Sequence, residues 1–80
     1  MVQAFVLIKA SPGKEKDIYY EITQLDPVTE AEILYGEYDL ITKIKAKNPE
    51  QLDDFVFNSL RKIEGVKSTI TCICAGLFRR

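Results

Sequence analysis

Five clusters of turn-forming residues divide this chain of 80 residues into six segments. They are Ser11-Pro12-Gly13, Asp26-Pro27, Tyr35-Gly36, Asn48-Pro49 and Glu64-Gly65. Gly and Pro interrupt regular structure, so each interval between the clusters is a candidate helix or strand. A domain usually takes roughly 100–200 residues, and the sequence therefore accommodates one domain over residues 1–80. Hydrophobic residues at 46% and charged residues at 29% are typical of a folded protein.

Hydrophobic periodicity assigns a type to each segment. Val2 to Ala10 is a nearly continuous apolar run, which is typical of a strand at the centre of a sheet. Ile18, Ile22 and Leu25 recur at helical spacing and predict an amphipathic helix over residues 14–25. Strand patterns follow at 28–35, 38–47 and 66–75, and a second helix is expected from residue 49 to about residue 63.

The start of the second helix has the clearest local signals. Asn48 is suited to cap the helix, Pro49 fits the first helical position, and Gln51 is placed to complete a capping box. Between the middle strands, Gly36 and Glu37 predict a two-residue type II′ turn.

The order strand, helix, strand, strand, helix, strand predicts an α+β protein with a ferredoxin-like βαββαβ fold. Right-handed connections place both helices on one face of a four-stranded antiparallel sheet, with the first and third strands central. The other face of the sheet is left uncovered. We call it the open face.

Strand alternation predicts which side chains lie on each face. Pairing Tyr35 with Tyr38 across the turn assigns these residues to the helix-covered face: Ala31, Ile33, Tyr35, Tyr38, Leu40, Thr42 and Ile44. The pattern of the last strand adds Val66, Ile70, Cys72 and Cys74 to that face. The open face is then predicted to carry Gln3, Phe5, Leu7, Lys9, Leu34, Asp39, Ile41, Lys43, Thr69, Thr71, Ile73 and Ala75. A solitary domain rarely exposes such an apolar patch, so we expect a homodimer joined through this face.

Composition argues against several kinds of function. The chain has no histidine, which removes Ser-His-Asp and Cys-His catalysis and the usual zinc and haem sites. Its formal charge of −1 provides no basic surface for DNA. Cys72 and Cys74 are too close for an unstrained disulfide and make only half of a zinc site, so they are interpreted as buried free thiols. No catalytic residue, metal site or cofactor is predicted. No apolar stretch approaches the roughly 20 residues of a membrane helix, and a cytoplasmic protein is expected.

Several short motifs resemble one family. The sequence Tyr35-Gly36-Glu37-Tyr38-Asp39-Leu40 at the hairpin is similar to the effector-binding module of Lrp/AsnC-type transcriptional regulators, called RAM for regulation of amino acid metabolism. Ala4-Phe5-Val6-Leu7-Ile8 at the front and Leu60-Arg61-Lys62-Ile63 near the end agree with it. The resemblance covers residues 2 to about 75 and implies a stand-alone module without the family's DNA-binding domain.

The resemblance implies a regulatory module that binds a free amino acid at a subunit interface and is not an enzyme. It also implies dimers, octamers and association with full-length Lrp/AsnC-type regulators as partners, without direct contact to nucleic acid or membrane. Two alternatives remain open: a small dimeric enzyme of the monooxygenase or isomerase type, and an adaptor that binds no ligand. The end of the chain, Leu77 to Arg80, is either a frayed tail or a contact between dimers.

A zwitterionic ligand needs hydrogen-bond donors for its carboxylate and an acceptor for its ammonium group. The hairpin residues and two threonines of the last strand are candidates for these roles: Leu34, Tyr35, Gly36, Glu37, Tyr38, Asp39, Leu40, Thr69 and Thr71. Asp39 is the candidate ammonium partner. Each residue also has a purely structural role open to it, since Gly36 suits the turn and Asp39 is able to cap backbone N–H groups.

Overall fold

The computed structural model describes residues 1–76 and residue 80. It contains four strands, two α-helices and one 3-10 turn: β1 (Val2–Ala10), α1 (Glu15–Ile22), β2 (Val28–Ile33), β3 (Leu40–Ala46), α2 (Pro49–Asn58), the 3-10 turn (Leu60–Lys62) and β4 (Val66–Ile73). Of the predicted tail, Leu77, Phe78 and Arg79 lie outside the described residues. No helix in the described part is both long and apolar enough to cross a membrane.

All four strands form one antiparallel sheet in the order β2-β3-β1-β4. The ferredoxin-like fold and the central position of β1 and β3 are therefore confirmed. The register predicted for the middle strands is also confirmed over residues 30–33, since Ile33 pairs with Leu40 and Ala31 with Thr42, and it shifts by one residue before Glu30.

One hydrophobic core lies between the sheet and the two helices. Ile18 and Ile22 of α1 and Leu52 of α2 are completely buried against the sheet. The sheet contributes alternate residues, as the pleat requires: Ala4, Val6, Ile8 and Ala10 from β1, and Leu40, Thr42 and Ile44 from β3. Because Thr42 is polar, its hydroxyl needs a partner, and it donates to the Glu30 carbonyl at 2.8 Å.

Both helices are shorter than predicted. α1 ends at Ile22, and Leu25 follows in a turn in which its N–H bonds to the Ile22 carbonyl. The start of α2 is confirmed, with the Asn48 side chain accepting from the Gln51 N–H at 2.8 Å and Pro49 in the first helical position. The Gln51 side chain accepts from the Lys47 N–H, one residue before the cap, rather than from the cap itself.

The predicted faces of β4 were wrong beyond its first residue. Lys9 pairs with Ser68 but Ala10 pairs with Val66, so Lys67 is the extra residue of a β-bulge. A bulge adds one residue to one strand and thereby reverses the alternation beyond it. Val66 packs against the core as predicted, whereas Thr69, Thr71 and Ile73 lie on the helix side.

The same bulge moves the other half of β4 to the open face. Ile70 and Cys72 pair with Leu7 and Phe5, whose side chains point away from the core. Cys72 is an exposed free thiol and Cys74 is half-buried, which corrects the prediction that both are buried. The open-face positions predicted for β1, from Gln3 to Lys9, have the predicted alternation.

Candidate ligand site beside the loop after the second strand

The connection between β2 and β3 is a loop rather than a two-residue turn. The last hydrogen bond of the hairpin runs from the Leu34 N–H to the Asp39 carbonyl at 2.8 Å. Tyr35 to Tyr38 therefore form a four-residue loop, which corrects the type II′ turn predicted at Gly36 and Glu37. Gly36 has a φ of 146° with open space around it, so a glycine is required by the backbone and not by crowding.

Asp39 attaches this loop to the end of the central strand. Its N–H donates to the Ile8 carbonyl at 2.9 Å, and its carboxylate Oδ2 accepts from the Ala10 N–H at 2.7 Å. The Asp39 side chain thus binds a backbone N–H group, which is the structural role that the sequence allowed for it. Because Asp39 is fixed to β1 from both its main chain and its side chain, the hairpin does not extend further and the loop opens beyond it.

An open groove of about 470 Å³ lies between this loop and the start of α1. Its walls are Glu15, Lys16, Ile33, Leu34, Tyr35, Gly36 and Asp39. The loop side is mostly apolar, and the helix side has one negative and one positive side chain. Four of the predicted site residues thus line one groove.

The other predicted site residues lie elsewhere. Glu37 is exposed, and Tyr38 is half-buried with the Lys9 Nζ 5.7 Å from its ring centre. Leu40 is completely buried in the core. Thr69 and Thr71 line β4 on the helix side, opposite Ile8 and Val6, and not on the open face where they were predicted.

Tyr35 is fully exposed rather than packed in the core as predicted, because β2 ends two residues before it. Ile33 has the predicted orientation, yet 43% of its surface is accessible at the end of an edge strand. Both side chains are therefore available to a ligand in the groove.

Glu15 and Lys16 are not among the residues predicted for the site, because charged side chains at the start of a helix usually face solvent. The predicted strand order does indicate that the start of α1 lies near the loop. β1 and β2 are both antiparallel to β3 and hence parallel to each other, so their C-terminal residues lie at the same end of the sheet. The start of α1, which follows β1, is thereby placed beside the loop that follows β2.

The open face has a different character. Its apolar side chains form a patch across three strands: Phe5, Leu7, Ile41, Ile70 and Cys72. The exposed fraction of Phe5 is 39% and that of Ile70 is 44%. Charged residues border the patch, and the Lys43 Nζ lies 5.4 Å from the centre of the Phe5 ring.

In the described part of the chain, no group of three or more Asp, Glu or Cys side chains is arranged to hold a metal ion.

Comparison with known proteins identifies the family. The Lrp/AsnC ligand-binding domain matches residues 3–76. An uncharacterized HTH-type transcriptional regulator of Pyrococcus furiosus is 36% identical over 73 residues, which cover 88% of this chain and 49% of the relative. The chain thus spans about half the length of the curated relatives it matches.

Solved structures agree with this match. A protein of Thermus thermophilus is 32% identical, with a TM-score of 0.92 and complete coverage of both chains. A transcriptional regulator of Neisseria meningitidis, solved as a complex with L-Met, has the same fold at 18% identity, with a TM-score of 0.89 over 99% of this chain and 53% of that one. The chain belongs to the Lrp/AsnC ligand-binding domain family.

Proposed function

We propose that this chain is a non-enzymatic regulatory module that binds a free amino acid in the groove beside the 34–39 loop. The observation that carries the proposal is the groove itself, in which apolar loop residues face one carboxylate and one ammonium group. A free amino acid combines the same features, since it has two opposite charges and a side chain. The L-Met bound to the related fold from Neisseria supports this class of ligand.

We further propose that two copies associate through the open face, which gives its exposed apolar side chains a partner. The module acts on transcription, as the names of its relatives suggest, through this assembly and in the cytoplasm. With 11 basic and 12 acidic residues it has no excess positive charge for binding DNA on its own. Octamers and association with full-length regulators stay predictions.

Amino-acid binding is expected to raise the melting temperature of the protein. A ligand at a hundredfold excess over its dissociation constant stabilises the folded state by about 2.7 kcal/mol. For a domain of this size that corresponds to a shift of about 10 °C or more. The measurement is a thermal-shift screen of the twenty amino acids at millimolar concentration, followed by calorimetry on those that produce a shift.

A selective response by one amino acid or a few related ones supports the proposal. Identical small shifts with all twenty indicate a general solute effect, which sucrose at the same concentration controls for. No shift with any amino acid contradicts the proposal and favours an adaptor that binds no small molecule.

A further inference from the structure

On the basis of the proposed function, we propose that Lys16 and Glu15 recognise the two charged ends of the amino acid, and that Asp39 only positions the loop. Lys16 binds the carboxylate and Glu15 binds the ammonium group. The ligand class that follows is an amino acid with an uncharged, mainly apolar side chain. Its charged ends then face α1 and its side chain faces the loop.

Asp39 already has hydrogen-bond partners for its N–H, its carbonyl and its carboxylate Oδ2. Its Oδ2 accepts from the Ala10 N–H at 2.7 Å, and its carbonyl accepts from the Leu34 N–H at 2.8 Å. A hydrogen bond to a carboxylate is strong, and breaking it would leave the Ala10 N–H without this partner. Part of the Asp39 carboxylate thus serves the loop, whereas the Glu15 carboxylate has no partner among the described residues and offers both oxygens to an ammonium group.

The helix side of the groove has two opposite charges. Glu15 and Lys16 both line it, Glu15 half-buried and Lys16 exposed. Among the described residues, neither side chain forms an ion pair or a hydrogen bond. Both charges are thus available to a ligand, and charge-assisted hydrogen bonds to such groups are among the strongest that a small polar ligand makes.

The loop side of the groove determines the kind of ligand side chain that fits. Ile33 is 43% exposed, Tyr35 is fully exposed and Leu34 is half-buried, and all three line the groove. Covering these apolar surfaces with an apolar ligand group removes them from water, whereas a second charge on the ligand would lose its hydration there without compensation.

Binding of three compounds to the full chain by calorimetry tests the roles of Lys16 and Glu15. The compounds are the amino acid that gives the largest thermal shift, its decarboxylated amine and its deaminated acid. We expect the Lys16→Met variant to bind the amino acid at least tenfold more weakly than the original protein but to bind the amine equally well. Glu15→Gln is expected to show the converse, with weaker binding of the amino acid and unchanged binding of the acid.

The matched control is Lys62→Met, which removes an exposed lysine outside the groove and should leave all three affinities unchanged. Unchanged affinity of Lys16→Met for the amino acid overturns the assignment while leaving the proposed function intact. Equal losses for the amino acid and the amine overturn it as well, because they indicate a structural effect. If the original protein binds no amino acid at all, the proposed function fails and the assignment fails with it.

The positioning role of Asp39 is tested with Asp39→Asn and Asp39→Ala. Asparagine keeps an oxygen that accepts from the Ala10 N–H but has no charge, so we expect its affinity for the amino acid to stay within about threefold of the original. Alanine removes the acceptor, and a loss of tenfold or more is expected. If Asp39→Asn binds as weakly as Asp39→Ala, the charge itself is needed and Asp39 is the ammonium partner after all.

Discussion

Replacing Gly65 by alanine is expected to lower the free energy of unfolding by about 2–4 kcal/mol. Gly65 has a φ of 97°, and a Cβ atom there would lie 2.8 Å from the Lys14 Cβ and 3.4 Å from the Ile18 Cδ1. The backbone has little freedom to withdraw, because the Gly65 carbonyl accepts from the Ser11 N–H at 2.7 Å. The substitution therefore combines an unfavourable backbone conformation with overpacking between β4 and the start of α1.

Gly13→Ala is the matched control for this experiment. Gly13 also has a positive φ, 81°, but nothing lies within 4 Å of the position of an added Cβ. Its expected cost is only that of the backbone conformation, about 1–2 kcal/mol. Urea denaturation of both variants at one protein concentration separates the two effects. Equal losses in the two variants would contradict the role of close packing at Gly65.

Replacing Ile70 by lysine is expected to convert the proposed dimer into a monomer. Ile70 lies in the apolar patch of the open face, opposite Leu7. A lysine there would lose its hydration inside a sheet-to-sheet interface, which costs several kcal/mol. The dimer dissociation constant should rise by about a hundredfold or more, at roughly 1.4 kcal/mol per factor of ten. Sedimentation velocity over a range of micromolar concentrations, with a reductant present, measures this change.

The same strand provides the control variant. Ile73→Lys places the same charge on the opposite side of β4, at a position that is 57% exposed against 44% for Ile70. The Ile73→Lys protein should remain a dimer. If Ile73→Lys dissociates and Ile70→Lys does not, a surface other than the open face joins the subunits. An original protein that is monomeric at all concentrations would exclude the dimer itself.

This pair of variants also tests the main difference between the sequence-based prediction and the structure. The order of elements, the register of β2 and β3 and the cap at Asn48 were predictable because each depends on neighbouring residues or on simple alternation. The faces of β4 were not, because a single bulge at Lys67 reverses every later position. No residue type at that point distinguishes a bulge from a regular strand, since the bulge is determined by pairing with β1.

The candidate site was predictable only in part, for a similar reason. The loop residues Tyr35, Gly36 and Asp39 are close in sequence, and a local motif was enough to select them. Glu15 and Lys16 come from a segment about twenty residues earlier and join the groove only through the arrangement of the strands. The hydrogen bond from Ala10 to Asp39, which changes the role we infer for Asp39, likewise joins residues 29 positions apart.

That hydrogen bond makes the Ala10 amide proton an internal reporter on the loop. The Asp39 side chain accepts the hydrogen bond from the Ala10 N–H, so exchange of this proton with solvent requires Asp39 to move away. Exchange at Val6, in the middle of the same strand, should slow by the factor that overall stabilisation sets, and exchange at Ala10 should slow as well because a filled groove keeps the loop from opening. NMR-detected deuterium exchange with and without the amino acid measures both rates in one sample, and unchanged exchange at Ala10 beside slower exchange at Val6 would show that the loop opens without releasing the ligand.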